Sequence, residues 1–492
     1  MKKRVHQIEL FMKYPIEVQT EWLKKNLQMA AQTEWGKQYD FLSIANYQTF
    51  VNRVPLTDYE TIKGDIDRVR KGEQNIFWPT EIKWFSKSSG TTSDKSKFIP
   101  VSSEALEECH YRGGKDMITL YCINRENTQL FSGKNLALGG SHDVFRFENY
   151  ESYYGDVSAI IIQNLPLWAE ILRAPNIQIA LMNNWDKKLA LMAEKTMNEN
   201  VTSIAGVPSW MLVLLNRIKQ LKENVDFKEI WPNLEVYFHG GVSFSPYRYQ
   251  FNELFKNLDV RYLETYNASE GFFGIQDLPD SNELLLMLDY GIFYEFIPLD
   301  SPDSESKKTI DLSQVEVNKD YALVITTNAG LWRYQIGDTI RFTSVNPYRF
   351  KISGRTKHYI NAFGEEVMID NAEKALMIAC EKTNCVVNEY SVAPVFLEQG
   401  KSGAHQWLIE FLKEPQDLDY FIEVLDNALK SINSDYEAKR YGNYILHKPL
   451  ITKARKGLFY DWLASKNKLG GQYKVPRLSN NRELMEEFLK FN

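Results

Sequence analysis

Cysteine is scarce: Cys109, Cys122, Cys380 and Cys385 are the four in 492 residues. So few cannot form the disulfide framework of a small secreted fold. Cys380 and Cys385 stand five apart without a C-x-x-C pattern or a histidine pair beside them, which leaves zinc without a ligand set. Reduced, buried thiols in a cytoplasmic protein are the expectation. Long apolar runs are also missing. Trp210–Leu215 is among the longest, far below the ~20 residues that cross a bilayer, so no membrane partner is expected. Near the start, His6, Gln7 and Glu9 follow Lys2, Lys3 and Arg4 where a signal peptide would be apolar. There is no basic block. Lysine and arginine number 58 against 64 acidic residues, a net charge of −6, which argues against nucleic acid as a partner. The phosphate-binding pattern GxxxxGK[ST] does not occur, and no repeat of fixed period is present.

What is present is the composition of a folded chain, 44% hydrophobic and 25% charged, long enough for roughly two or three domains. Its most informative stretch is SSGTTSDKSKFIPVS, from Ser88 to Ser102. Ser88, Ser89, Thr91, Thr92 and Ser93 surround Gly90, and Lys95 and Lys97 follow. Small residues let the backbone approach an anion closely, hydroxyls and N–H groups donate to its oxygens, and lysines add charge. A phosphate cradle needs that chemistry. On composition alone the same residues would also suit a solvated loop. Trp84-Phe85 before it and Phe98-Ile99-Pro100-Val101 after it favour a loop pinned between two buried strands.

Along the chain, residues 7 to 33 read as helical, and Val54–Glu60 reads as a loop entering a helix capped by Thr57 or Asp58. A helix is expected from about Ser103 to Asn124. Leu136–His142 and Leu234–Gly241 each read as a strand running into a Gly-Gly turn. Val201–Val207 reads as a strand followed by a helix with Pro208 at its first position. Strand, turn and helix recur in α/β fashion, with ligands expected at the carboxyl ends of strands. Strands dominate from about Glu283 to Phe342. Lys351–Lys357 is a candidate hinge. Beyond it lie the helices Ala372–Cys380 and Leu418–Ile432, strands near Val386–Phe396, Gln406–Leu412 and Tyr444–Leu446, and a final helix near Arg482–Lys490.

Three further constellations could carry chemistry. Tyr266-Asn267-Ala268-Ser269-Glu270 follows a short strand, Val260–Leu263. Its ring can stack on a purine, its serine can donate to phosphate, and its carboxylate can hold Mg2+. The alternative is a strand-end loop with a core tyrosine. Gly337-Asp338 could present a carboxylate to ribose hydroxyls, or be an ordinary hairpin turn. Lys474, in a glycine-rich loop, could reach charge developing at a phosphoryl or acyl centre, or be a surface lysine. His142 and His239 lie beside Gly-Gly turns without nearby carboxylates, so no triad is built on them.

The order of these pieces resembles the adenylate-forming superfamily, which holds acyl-CoA synthetases, peptide-synthetase adenylation domains and luciferases. SSGTTSDKSKFIP, GLWRYQIGDTIRF and GQYKVPR, with TEWG, VPLTDYE and FHGG, are closest to one branch. That branch comprises the acyl-acid amido synthetases first known as auxin-responsive plant proteins, and their bacterial relatives. The resemblance covers essentially the whole chain. It implies a large N-terminal domain of β-sheets flanked by helices over 1–354 and a small mobile α+β C-terminal domain over 355–492. It also implies ATP and Mg2+ as cofactors, with a carboxylic acid and an amine, expected to be an amino acid, as partners. Ser88, Ser89, Gly90, Thr91 and Thr92 would line the loop around the β- and γ-phosphates, with Lys95 and Lys97 close by. Tyr266 would sit against adenine, Ser269 near the α-phosphate, and Glu270 would help hold the metal. Asp338 would bind the ribose, Arg355 would mark the swivel, and Lys474 would stabilise the reacting phosphate.

The implied reaction is adenylation of an acid followed by amide formation. Thioester formation with coenzyme A, or nucleotide binding without catalysis, are the competing readings. Two departures bear on them: Ala268 precedes Ser269 where many relatives have a second hydroxyl, and Lys357 stands where the wider superfamily often has aspartate.

Overall fold

The computed structural model describes residues 2–89, 96–223, 225–241, 244, 247–299, 308–355, 359–396, 402–466 and 475–492. Helices Lys2–Lys13, Pro15–Ala30, Tyr47–Arg53 and Tyr59–Arg70 come first. The expected single helical stretch from 7 to 33 is split at Pro15, which occupies the first turn of the second helix because proline cannot continue the first. The helix Tyr59–Arg70 is closed by a capping box between Asp58 and Thr61.

Strands β1 (Trp84–Ser89) and β2 (Ser96–Val101) pair antiparallel, with Ser88 opposite Lys97. After β3 (Lys134–Ala137), β4 (His142–Phe147) and β5 (Tyr150–Gly155) complete a four-stranded sheet in the order β2-β1-β5-β4. Next come β6 (Arg173–Ala174), β7 (Val201–Gly206), β8 (Val236–Gly240), β9 (Arg261–Ala268), β10 (Gly271–Ile275) and β11 (Leu284–Leu286). They are followed by β12 (Ile292–Pro298), β13 (Ile310–Asp311), β14 (Asp320–Thr327), β15 (Tyr334–Val345) and β16 (Tyr348–Arg355). Among the described residues these form a 12-stranded sheet, β13-β12-β14-β15-β16-β11-β10-β9-β8-β7-β3-β6.

The portion β3, β7, β8 and β9 is parallel. Parallel strands need cover on both faces. Helices Trp185–Thr196, Pro208–Leu221 and Arg248–Leu254 supply one side, where Met192, Leu215, Tyr237 and Phe251 share a core. On the other, Tyr121 of the helix Tyr111–Ile123 packs with Val236, Phe238 and Leu263. The N-terminal helices cover the antiparallel portion, burying Phe11, Leu27 and Phe50 with Phe273, Tyr294 and Phe342.

The C-terminal segment pairs β17 (Tyr359–Ile360) with β18 (Val367–Met368). It then sets β19 (Val386–Phe396), β20 (Gly403–Lys413) and β21 (Leu450–Lys453) in one sheet. Helices Ile369–Thr383 and Leu418–Ile432 share a core with that sheet through Ala375, Leu376, Phe421, Leu425, Val392 and Trp407. The α/β reading thus holds. No described helix is long and apolar enough to cross a membrane.

Several local expectations change. β3 stops at Ala137 and His142 opens a strand of the smaller sheet. The region expected as a strand near Tyr444–Leu446 makes a single bridge, Gly403 to Leu446, and the strand forms later as β21. The segment expected as a helix from Ser103 begins as a π-helix over Ala105–His110 before the α-helix Tyr111–Ile123. β9 runs through Tyr266 to Ala268 because, beyond its last parallel pair with β8 (Gly240 and Thr265), it gains β10 as an antiparallel partner. Gly337-Asp338 lies inside β15 and is no hairpin turn. There Gly337 adopts φ +93, a value glycine takes without strain.

Candidate active site

The parallel strands place their carboxyl ends together. Gly139-Gly140 follows β3, Gly206 ends β7, Gly240 ends β8 with Gly241 after it, and Ser269-Glu270 follows β9. In open α/β sheets this edge is where ligands bind. Ser269 and Glu270 form the two-residue turn between β9 and β10, next to the paired Ala268 and Gly271, and both are half-buried. A carboxylate held on a short turn at a strand end can meet a cation shared with phosphate oxygens. No cluster of three or more His, Cys, Asp or Glu positioned for a metal exists among the described residues. One carboxylate together with substrate phosphates is the usual way Mg2+ is held, so Glu270 fits an ion that arrives with a nucleotide.

Tyr266 and Asp338 meet, although β10, β11 and β16 lie between their strands in the sheet order. The Tyr266 phenol donates to Asp338 Oδ2. Its ring is edge-on to Phe273 at 4.9 Å and tilted against Phe350 at 6.2 Å. A contact across three strands requires the sheet to curl there, and the short β11 permits it. Asp338 is also the cross-strand partner of Arg355, the last residue of β16. The side chain of Arg355 lies outside the described set.

Ser88 and Ser89 end β1, and Lys97 lies in β2 opposite Ser88. Gly90, Thr91, Thr92 and Lys95 fall outside the described residues, as does Lys474. The base of the hairpin is firmly set. Phe85 and Ile99 are fully buried. The Phe98 N–H donates to Tyr59 Oη at 3.1 Å, and Arg70 lies 3.7 Å over the Phe98 ring. The segment holding Tyr59 also clamps the approach to Asp338: Thr57 N–H donates to Arg333 O, and Gln335 N–H returns to Thr57 O at 2.8 Å. One short stretch of chain therefore positions two of the expected nucleotide-binding elements.

Sequence reasoning missed three charged groups at this edge. Lys188, 1% exposed, donates to the carbonyls of Gly139 and Gly140, the latter at 3.0 Å. Burial pushes its ammonium down to about 8. Asp156 is exposed, and its Oδ2 accepts from the Ser141 N–H at 3.2 Å. Lys439, from the C-terminal segment, lies 4.1 Å over the ring of Trp210, and burial takes it to about 8 as well. Lys187 and Lys188 are adjacent in a helix, and only the packing says which is buried. His239 is also buried, stacked on Phe244 at 4.0 Å. Burial, then Arg248, pulls its imidazole down to about 3, so it is neutral.

A large helix-flanked sheet whose parallel edge gathers glycine turns and an acidic turn, and which brings Tyr266 to Asp338, has the architecture of an adenylate-forming ligase. Three family models match the chain. The GH3 family N-terminal domain matches residues 4–260, the GH3 family central domain 285–355 and the GH3 family C-terminal domain 370–483. The chain belongs to the GH3 family. Indole-3-acetic acid-amido synthetase GH3.4 of Arabidopsis thaliana is 23% identical, covering 98% of this chain and 92% of its own. Jasmonoyl--L-amino acid synthetase GH3.5 of Oryza sativa subsp. japonica is 23% identical over 97% of this chain and 95% of its own. In fold, the chain is similar to GH3.15 acyl acid amido synthetase, with TM-score 0.63 and 19% identity over 100% of this chain and 96% of that one. The protein is an adenylate-forming enzyme of the acyl-acid amido synthetase kind.

Proposed function

We propose that this enzyme joins a small carboxylic acid to the amine of an amino acid at the expense of ATP. An oxygen of the acid's carboxylate attacks the α-phosphorus, the bond to the bridging oxygen breaks, and pyrophosphate leaves with an acyl-adenylate remaining. The amine nitrogen then attacks the activated carbonyl, AMP departs with the bonding pair, and the amine loses a proton. The relatives' names support an amino acid as acceptor. The observation that carries the reading is the meeting of Tyr266 with Asp338 beside the Ser269-Glu270 turn.

In this reading Tyr266 packs against the base, Asp338 accepts from the ribose hydroxyls and Ser269 donates near the α-phosphate. Ser88, Ser89, Gly90, Thr91, Thr92, Lys95 and Lys97 surround the phosphates that leave. Mg2+ on Glu270 would offset charge on the phosphate oxygens. Lys474 stabilises charge at the reacting phosphorus, and Arg355 marks the junction between a body of residues 1–354 and a smaller one of 355–492. Most of the work is positioning and electrostatic stabilisation. Four unpaired cysteines suit a cytoplasmic setting.

A panel of acids against amino acids, followed by AMP release, tests the reading. The expected result is AMP formation that needs both an acid and an amino acid and yields an amide. Strict dependence on coenzyme A, or exchange of pyrophosphate into ATP at background for every acid, would overturn it.

A further inference from the structure

The turn that carries Ser269 and Glu270 is gripped from below by a segment with no assigned task. Its π-helix, Ala105–His110, is an uncommon geometry that recurs at functional sites. The π-helix places two consecutive side chains on one cross-strand pair of the β9–β10 hairpin. Cys109 Sγ accepts from the Phe272 N–H at 3.1 Å, and its thiol faces the Phe272 carbonyl at 3.9 Å. His110 Nδ1 lies 3.0 Å from Asn267 Oδ1. Asn267 and Phe272 are direct partners, and the next pair outward, Ala268 and Gly271, borders the turn. Approach is close: a Cβ on Gly113 would lie 2.5 Å from the Phe272 ring.

The chemistry suits holding and not reaction. Burial pushes the Cys109 thiol up to about 12 and the His110 imidazole down to about 4, so both are neutral near pH 7. With Asn267 Oδ1 as the acceptor, the proton sits on His110 Nδ1, which leaves His110 a single tautomer toward the hairpin. The same segment continues back through Ser102, whose hydroxyl donates to Asn328 O at 2.6 Å and accepts from the Ala105 N–H at 3.0 Å, into β2 and the hydroxyl hairpin. One run of chain thus links the phosphate hairpin to the acidic turn.

We propose that His110 is a positioning residue that fixes the Ser269-Glu270 turn through Asn267 and sets the geometry in which Glu270 meets a phosphate-bound divalent cation. This rests on the nucleotide reading above. His110→Phe keeps a ring and removes the donor. Asn267→Ala removes the acceptor from a half-buried side chain, should the first variant fold poorly. His110→Asn returns an amide N–H near the place of Nδ1. In hydrogen–deuterium exchange on the full chain, the amides of residues 268–272 should exchange about tenfold faster in His110→Phe and Asn267→Ala, and at the native rate in His110→Asn. In AMP release, the first two should need about tenfold more Mg2+ for half-maximal rate at unchanged KM for the acid, and His110→Asn should recover most of the loss.

Unchanged exchange at 268–272 in both disruptive variants would overturn the link. Altered exchange with native Mg2+ dependence would overturn the positioning role. If the native protein released no AMP with any acid, the nucleotide reading would fall while the exchange result still decided whether His110 holds the turn.

Discussion

The phenol of Tyr266 donates to the carboxylate of Asp338, joining two strands that are separated by three others in the main sheet. A buried donor aimed at a carboxylate leaves that group oriented before any ligand arrives. Removing the donor while keeping the ring isolates this effect. Tyr266→Phe should raise KM for ATP about tenfold, the worth of one hydrogen bond to a charged group, with KM for the acid unchanged. Asp338→Asn should raise it further. Steady-state kinetics with each substrate varied in turn reads both.

Buried histidines give the fold a dependence on mild acid. His239 is held neutral, its imidazole pulled from 6.5 to about 3 chiefly by burial. The unfolded chain then binds the extra proton first, so stability is full above the ordinary value and is lost as pH falls below it. Between pH 6.5 and 5 the loss should be about 1–2 kcal/mol for such a group, above the range where most carboxylates titrate. His239→Phe, which preserves a ring against Phe244, should flatten that part of the curve. Urea unfolding midpoints at the two pH values check it; equal slopes in variant and native protein would count against it.

What was legible in the sequence was what adjacent residues encode. Phe85 and Ile99 announced the buried frame of the hydroxyl hairpin because apolar residues flank it directly, and the frame is buried. At Gly337-Asp338 the hairpin-turn alternative does not hold, although locally that dipeptide is turn chemistry. Its backbone freedom is spent instead on a glycine at φ +93 inside β15. The grip of His110 on Asn267 was illegible because the two lie 157 residues apart. Lys188 was indistinguishable from Lys187 until the helix Trp185–Thr196 was seated on the sheet. Tertiary contacts decide such cases, and no pattern of spacing contains them.

Arg333 shows what such contacts sustain. Its guanidinium, 4% exposed, lies 2.9 Å from Glu295 Oε1, donates to Thr309 at 2.7 Å and to Val54 O at 2.8 Å. Its backbone sits at φ +45, a conformation uncommon for any residue but glycine, immediately before β15. Arg333→Met would leave the Glu295 carboxylate buried without its cation, a loss of about 3–5 kcal/mol. Arg333→Lys keeps the charge but not the fork and should recover only part of it. Chemical denaturation of the three proteins, compared at one pH, gives the ranking; a stable Arg333→Met variant would show that the pair contributes specificity of the turn and not stability.

Lys474 provides the sharpest separation of binding from chemistry. In the proposed mechanism it meets charge that develops only as the carboxylate attacks the α-phosphorus, so its contribution is absent from the ground state. Lys474→Ala should therefore slow adenylation by about a hundredfold or more, in keeping with loss of one preorganised charge partner. The dissociation constant for ATP should stay within about threefold of native, since a group acting in the transition state leaves ground-state binding alone. Exchange of pyrophosphate into ATP measures the first and calorimetric titration with nucleotide the second. Equal loss in both would assign Lys474 to nucleotide binding, and unaltered exchange with slowed amide release would move it to the second half-reaction.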